Sequence, residues 1–143
     1  MEKIVKNIEE FEAEAEAFAS GIGPQESGAT LVTLSGDLGA GKTAFTKAAA
    51  RALGIEEMVT SPTFVLEKIY QLTDQSFKQL IHIDAYRLES GAELAPLGFD
   101  ELMKDSGNLV FLEWPEKVED ALPEIAVRIS IAANVDGSRT IRV

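Results

Sequence analysis

Residues 36–43, GDLGAGKT, carry the clearest chemical pattern in the chain. A glycine, four free positions, a second glycine, a lysine and a hydroxyl residue are typical of a loop whose backbone N–H groups wrap a phosphate chain. The glycines let the backbone approach phosphate closely and adopt positive φ angles. Lys42 is expected to reach the β- and γ-phosphates, and the hydroxyl of Thr43 to bind Mg²⁺. The pattern therefore predicts nucleotide binding.

Two acidic residues that follow apolar runs are candidates for the hydrolytic part of such a site. Glu113 ends the run NLVFLE, and Asp84 ends the alternating run QLIHID. Ligands of an α/β sheet collect outside the carboxyl ends of its parallel strands, which selects Glu113 and, if its strand has the same direction, Asp84. Hydrolysis needs a Mg²⁺ anchor and a group that orients the attacking water. From the sequence, Asp84 and Glu113 are each candidates for binding Mg²⁺ and for orienting the water.

Three neighbours of these acids have simpler interpretations. Asp84 with Arg87 fits an ordinary surface ion pair nearly as well as a catalytic role. His82 shares a strand face with Asp84, and the pattern favours a hydrogen-bonded structural histidine. Trp114, the only tryptophan, is either a core residue or a side chain that flanks the nucleotide or a partner.

The loop requires a strand before it and a helix after it, and both are predicted. Residues 30–35 form a β-branched, apolar run, and residues 43–53 are rich in helix formers and are followed by Gly54. Residues 108–114 predict a buried central strand, and residues 115–122 a short helix that begins at a proline.

Other segments predict antiparallel strands and a further helix. Residues 63–84 suggest a hairpin around the turn TDQS, and residues 124–132 and 139–143 suggest a second hairpin around NVDGS. Residues 3–6 predict a short edge strand. Asn7 is expected to cap a helix whose buried face carries Ile8, Phe11, Ala15 and Phe18.

Length and composition set further limits. A chain of 143 residues predicts one domain, residues 1–143. No cysteine and a single histidine disfavour thiolate or histidine metal sites, so we expect any metal to be Mg²⁺ bound by oxygen. A formal charge of −11 disfavours extensive unaided contact with nucleic acid. The acidic N-terminal segment and the lack of a long apolar run predict a cytoplasmic protein without a membrane span.

Four motifs in order give a more specific expectation: GDLGAGKT, SPTF at residues 61–64, HIDAYRL at 82–88 and EWPE at 113–116. Their order and spacing resemble the bacterial TsaE (YjeE) family, small P-loop ATPases required for threonylcarbamoyl modification of adenosine 37 in tRNAs that read ANN codons. The resemblance implies a P-loop NTPase-like, three-layer α/β fold. Its mixed, mostly parallel sheet would contain antiparallel strands and carry helices on both faces.

The same resemblance implies ligands, partners and residue roles. It implies ATP and Mg²⁺, an ATPase that is weak alone, and activation by TsaD and TsaB, with tRNA reached only through that complex. Thr43 and Glu113 would bind the metal, and the catalytic residues would be Lys42, Asp84 and Glu113. The nucleotide contacts would come from Asp37, Leu38, Gly39, Ala40, Gly41, Lys42, Thr43, Ala44, Thr63 and Trp114. The family often has threonine where this chain has Ala44, a change that keeps the metal-binding hydroxyl of Thr43.

Two alternatives start from the same loop. A small-molecule kinase would need an arginine-bearing lid, and lid-like sequence is hard to find around Arg51 and Arg87. A nucleotide-dependent scaffold would bind ATP and partners without hydrolysis. A GTPase is less favoured, because the chain lacks an Asn-Lys-x-Asp motif for guanine.

Overall fold

The computed structural model describes residues 1–56 and 66–143. The strands are β1 (Glu2–Val5), β2 (Thr30–Ser35), β3 (Glu67–Gln71), β4 (Gln79–Asp84), β5 (Asn108–Glu113), β6 (Val127–Ala133) and β7 (Arg139–Arg142). The α-helices are α1 (Ile8–Gly21), α2 (Lys42–Ala52) and α3 (Phe99–Leu102). Short 3₁₀ segments cover Gly91–Leu97, Pro115–Lys117 and Glu119–Ala121.

The strands of the described residues form one sheet in the order β1-β7-β6-β2-β5-β4-β3. The four strands β6, β2, β5 and β4 are parallel neighbours, whereas β3, β7 and β1 join through antiparallel pairings at the two edges. Five of the seven strands thus run in one direction. This confirms the predicted mixed, mostly parallel sheet with antiparallel strands.

Helical segments cover both faces of the sheet, which gives the predicted three layers. On one face, Phe11 of α1 and Phe45 of α2 meet edge to face with ring centroids 6.1 Å apart. They pack with the inward side chains Val32, Leu34 and Phe111 of the central strands. On the other face, side chains of the 3₁₀ segment at 91–97, of α3 and of the following turns pack on alternate strand residues, among them Leu94, Phe99, Val118, Ile81 and Val110. Such alternation is expected of strands covered on both sides.

Helix α1 follows the prediction in its start but not in all of its buried face. The side chain of Asn7 accepts a hydrogen bond from the N–H of Glu10 at 2.8 Å, as predicted for an N-cap. Phe11 and Ala15 are buried. The prediction for Ile8 was wrong, since 56% of this residue is exposed. Ile8 is the first helical residue and lies at the rim of a surface pocket instead of over the sheet.

Both predicted hairpins are confirmed within the described residues, as β3–β4 and β6–β7. The predicted short helix at 115–122 begins at Pro115 as expected, but it was wrong as one continuous helix, because the segment forms two 3₁₀ turns. Val118 between them has φ −132°, which interrupts helical geometry, and its buried side chain packs against the sheet. No helix in the ranges 1–56 and 66–143 is long and apolar enough to cross a membrane.

Candidate functional site

The loop between β2 and α2 is shaped by glycines at two close contacts. Gly36 has φ 152°, and a Cβ there would lie 2.4 Å from the carbonyl oxygen of Ile131. Gly41 has φ 121°, and a Cβ there would lie 3.0 Å from the ring of Phe11. Helix α2 starts directly after Gly41, and no side chain of residues 1–56 or 66–143 caps it. Its first N–H groups and the positive end of its dipole are therefore available to an anion.

Lys42 is held inside the site and is only 4% exposed. Its Nζ donates to the carbonyl oxygens of Gly36 at 2.5 Å and Asp37 at 2.9 Å. The same nitrogen lies 4.3 Å from the ring centroid of Trp114, a cation–π contact. Burial lowers the pKa of Lys42, and the carboxylates of Glu113, Glu116 and other nearby acids oppose that shift. A phosphate beside Lys42 would supply the negative charge that this buried ammonium lacks at short range.

Thr43 and Glu113 meet although they come from different elements. The Oγ1 of Thr43 donates to the Glu113 carboxylate and lies 3.1 Å from both of its oxygens. Glu113 is 2% exposed, and its Oε2 also contacts Nε2 of His82 at 2.5 Å. The carboxylate therefore has one fixed position at the end of β5.

Thr43 and Glu113 together fit the oxygen chemistry of Mg²⁺. Two neighbouring ligands of an octahedral Mg²⁺, each about 2.1 Å from the ion, lie about 3.0 Å apart. The observed 3.1 Å between hydroxyl and carboxylate oxygens matches that edge. Within the described parts of the chain, no group of three or more His, Cys, Asp or Glu side chains forms a metal cluster. Mg²⁺ is commonly bound by one or two protein groups together with phosphate and water, and Thr43 and Glu113 would supply two such groups.

Asp84 and Glu113 lie directly opposite each other on the parallel strands β4 and β5. The sequence did not fix the direction of β4. In the structure β4 is parallel to β5, so both acids lie at the same edge of the sheet. One carboxylate oxygen of Asp84 accepts from the N–H of Tyr86 at 3.0 Å. This bond turns the chain out of β4 and directs Tyr86 towards Trp114, with ring centroids 5.0 Å apart.

A cavity of about 400 Å³ joins most of the predicted residues. Its walls include Leu38, Gly39, Gly41, Lys42, Thr43, Ala44, Asp84, Glu113 and Trp114. Asp37 faces the same region through its carbonyl, whereas Ala40 lines a second pocket. Thr63, and with it the predicted segment 61–64, lies outside the described residues.

The second pocket, about 300 Å³, lies on the other side of the loop. It shares Gly39, Gly41 and Ala44 with the first cavity, and it is lined further by Val5, Asn7, Ile8, Phe11 and Arg139. Arg139 also donates from Nε to the carbonyl oxygen of Ala40 at 3.0 Å, which ties β7 to the loop.

Several residues of the site were missed in the sequence. Arg139 belongs to none of the motifs, and Tyr86 belongs to HIDAYRL without a role predicted for it. Their contacts depend on where separate strands meet. His82 was interpreted as a hydrogen-bonded structural histidine, and its bond to Glu113 was not foreseen. The alternation of QLIHID did place His82 and Asp84 on one strand face, which was the available signal.

A glycine-rich loop between a central parallel strand and a helix, beside two strand-end carboxylates, defines a P-loop NTPase-like protein. The family description for threonylcarbamoyl adenosine biosynthesis protein TsaE matches residues 6–141. The tRNA threonylcarbamoyladenosine biosynthesis protein TsaE of Treponema pallidum is 43% identical over 116 residues, which cover 80% of this chain and 81% of that one. The TsaE of Bacillus subtilis is 39% identical over 135 residues, covering 94% of this chain and 79% of its own.

The fold agrees with these similarities. The crystal structure of Bacillus subtilis YdiB superposes with a TM-score of 0.77 at 34% identity, covering 99% of this chain and 82% of that one. The chain therefore belongs to the TsaE family of threonylcarbamoyladenosine biosynthesis proteins. This confirms the resemblance that the four motifs indicated.

Proposed function

We propose that this chain is a Mg²⁺-dependent ATPase required for threonylcarbamoyl modification of adenosine 37 in tRNAs that read ANN codons. It acts with homologues of TsaD and TsaB. The observation that carries the ATPase assignment is the meeting of Thr43 and Glu113 at 3.1 Å in the cavity that also holds Lys42. Family membership supports the pathway.

The loop and Lys42 bind the phosphates. The uncapped N–H groups at the start of α2 face the phosphate chain. Lys42 exchanges its contacts with the carbonyls of Gly36 and Asp37 for the β- and γ-phosphates, a stronger, charge-assisted partner. Trp114 then loses the ammonium group above its ring.

Thr43 and Glu113 would hold the metal, and Asp84 would orient the attacking water. When bound, Mg²⁺ neutralises charge that develops on the transferring phosphoryl group. Glu113 has the contacts of a metal-site carboxylate, since it already faces the Thr43 hydroxyl. Asp84, one strand further, is then the candidate that positions the attacking water.

The second pocket suits the nucleoside. A nucleotide whose phosphates lie on the loop must place its base to one side, and this pocket shares three loop residues with the phosphate cavity. Phe11 and Ile8 offer apolar surface to a base, and Asn7 and Arg139 offer hydrogen-bonding groups.

The charge and the cavity mouth favour action within a protein complex. A net charge of −11 disfavours direct binding to tRNA, so we assign that contact to the partners. Leu38 is 68% exposed and Tyr86 43% exposed, and both line the phosphate cavity. A docked partner that covers them would exclude water and complete the site, so we expect the chain alone to hydrolyse ATP slowly.

Three variants test the assignment. We expect Lys42→Ala to lose ATP binding. Glu113→Gln should weaken Mg²⁺-dependent binding, whereas Asp84→Asn should bind Mg²⁺·ATP normally without turnover. Titration of labelled ATP with and without Mg²⁺, followed by phosphate release with partners present, measures each step. Normal binding and hydrolysis by Lys42→Ala would contradict the proposal.

A further inference from the structure

We propose that His82 is a positioning residue that fixes the Glu113 carboxylate for the metal. The inference rests on the proposed function, because it assigns Glu113 to Mg²⁺. His82 is fully buried on β4, and its Nε2 lies 2.5 Å from Oε2 of Glu113. Nothing in the phosphate-binding pattern requires this histidine.

The bond has a defined direction. A carboxylate that binds a cation accepts hydrogen bonds, so the proposed role of Glu113 makes Nε2 of His82 the donor. The other ring nitrogen, Nδ1, is buried and has no hydrogen-bond partner among the described residues. A buried polar atom without a partner destabilises the fold, so the histidine is a poor choice for packing alone. The contact with Glu113 is the one that explains its presence.

The contact with His82 uses Oε2 of Glu113 and leaves Oε1 for a metal. His82 occupies one lone pair of Oε2, while the Thr43 hydroxyl lies equally far from both oxygens. A rotation of the carboxylate would move Oε2 away from Nε2 of His82. Glu113 is thereby held towards Thr43, and Oε1 remains without a histidine contact. Outer partners of this kind orient metal-binding carboxylates in other proteins.

The backbone makes the arrangement rigid. His82 lies opposite Phe111 in the register of the parallel strands, and Asp84 lies opposite Glu113. The imidazole therefore reaches diagonally from one strand to the next, within the central sheet. One strand, β4, thus supplies both the group that fixes Glu113 and the acid beside it.

Two amide substitutions separate positioning from packing. The side-chain nitrogen of His82→Gln reaches the place of Nε2, whereas that of His82→Asn stays near the place of Nδ1. Both are polar and similar in size. If His82 positions Glu113, the glutamine variant should keep the Mg²⁺ affinity within about threefold, and the asparagine variant should lose roughly 10–100-fold. ADP binding without Mg²⁺ should be the same in both variants.

The measurement is ADP binding at increasing Mg²⁺ concentration, by calorimetry, with thermal unfolding of each variant as a check. Equal Mg²⁺ affinity in wild type and both variants would overturn the proposal and leave a packing role. Loss of Mg²⁺ affinity in both variants alike would overturn the Nε2 assignment. A wild type whose ADP binding ignores Mg²⁺ would refute the proposed metal site itself, which is a different result.

A second readout uses the wild-type fold, in case a variant does not fold. His82 is the only histidine, so its imidazole signals in ¹⁵N-labelled protein need no assignment. We expect an Nε2-bound proton with the downfield shift of a short bond to a carboxylate, and a change on adding Mg²⁺ with ADP. The amide oxygen of Glu113→Gln is a weaker, neutral acceptor. Absence of the proton signal in wild type, or an unchanged downfield shift in Glu113→Gln, would contradict the proposal.

Discussion

The Thr43 hydroxyl lies 3.1 Å from both oxygens of the Glu113 carboxylate, although 70 residues separate the two in the chain. Helix α2 supplies the hydroxyl and the end of β5 supplies the acid. Because β2 and β5 are parallel neighbours, the loop after β2 and the last residue of β5 reach the same edge of the sheet. The metal site that we propose is thus a consequence of strand order.

Replacement of Thr43 by valine tests this relationship. Valine keeps the shape but removes the hydroxyl, so we expect a loss of at least roughly tenfold in Mg²⁺-dependent nucleotide binding. Thr43→Ser is the matched control and should stay near wild type. Titration of Mg²⁺ against a fixed nucleotide concentration measures the effect, and a fully active valine variant would argue against Thr43 as a ligand.

Two glycines of the loop should respond differently to alanine. At Gly39 (φ 81°) a Cβ meets no atom of the described residues within 4 Å, so Gly39→Ala should destabilise by only about 1–2 kcal/mol from backbone strain. At Gly36 the Cβ would lie 2.4 Å from the carbonyl oxygen of Ile131, so Gly36→Ala should cost at least about 3 kcal/mol. Urea unfolding of both variants compares them. If both variants lost the same free energy of unfolding, the close approach of Gly36 to β6 would not contribute to the cost.

The pKa of Lys42 predicts a dependence of stability on pH. Burial lowers this pKa below the ordinary 10.5, so above the lowered value the unfolded chain binds more protons than the folded one. Wild-type stability relative to Lys42→Met should therefore rise between that value and pH 10.5. Denaturant unfolding of both proteins from neutral to alkaline pH measures the difference.

Lys104 provides the control for that series. Its ion pair with Glu101 raises the pKa of the exposed Lys104 side chain. The stability that this ion pair contributes is therefore present below pH 10.5 and is lost as the pH rises through the pKa of Lys104 in the folded protein. The difference between wild type and Lys104→Met should fall slightly with pH, opposite in sign to the Lys42 series. If the stability differences for Lys42→Met and Lys104→Met changed with pH in the same direction, the burial of a charged Lys42 would be contradicted.

Trp114 should report directly on phosphate binding. It is the only tryptophan, has the strained left-handed φ of 61°, and lies under the Lys42 ammonium. If Lys42 moves to phosphate, the tryptophan fluorescence must change with a saturable dependence on nucleotide. Lys42→Met should remove that response. A response that survives in this variant would place its origin elsewhere.

Local patterns were sufficient for most of the fold. The loop, helix α2, the buried run that ends in Glu113 and both hairpins followed from residue type and spacing, because each depends on neighbours in sequence. The predictions for Ile8 and for one continuous helix at 115–122 were wrong because tertiary contacts decide both. Ile8 meets a pocket instead of the sheet, and the buried Val118 fixes a non-helical backbone.

The sequence predicted which residues surround the candidate site, but it did not predict the contacts between them. The motifs identified Lys42, Thr43, Asp84 and Glu113, yet the direction of β4 and the bond between His82 and Glu113 required the strand register. Arg139 reaches the loop from 99 residues away, and no local pattern encodes such a contact. Thr63 stays a prediction, since it lies beyond the described ranges.

Phosphate release is the decisive measurement, because it detects ATP hydrolysis itself. We would measure it for wild type and Glu113→Gln, each alone and with the TsaB–TsaD complex and tRNA, at saturating Mg²⁺·ATP. We expect slow release by wild type alone, a clear increase with the complex, and little release by Glu113→Gln in either condition. ATP-dependent complex formation without phosphate release by wild type would contradict it and identify the chain as a nucleotide-dependent scaffold.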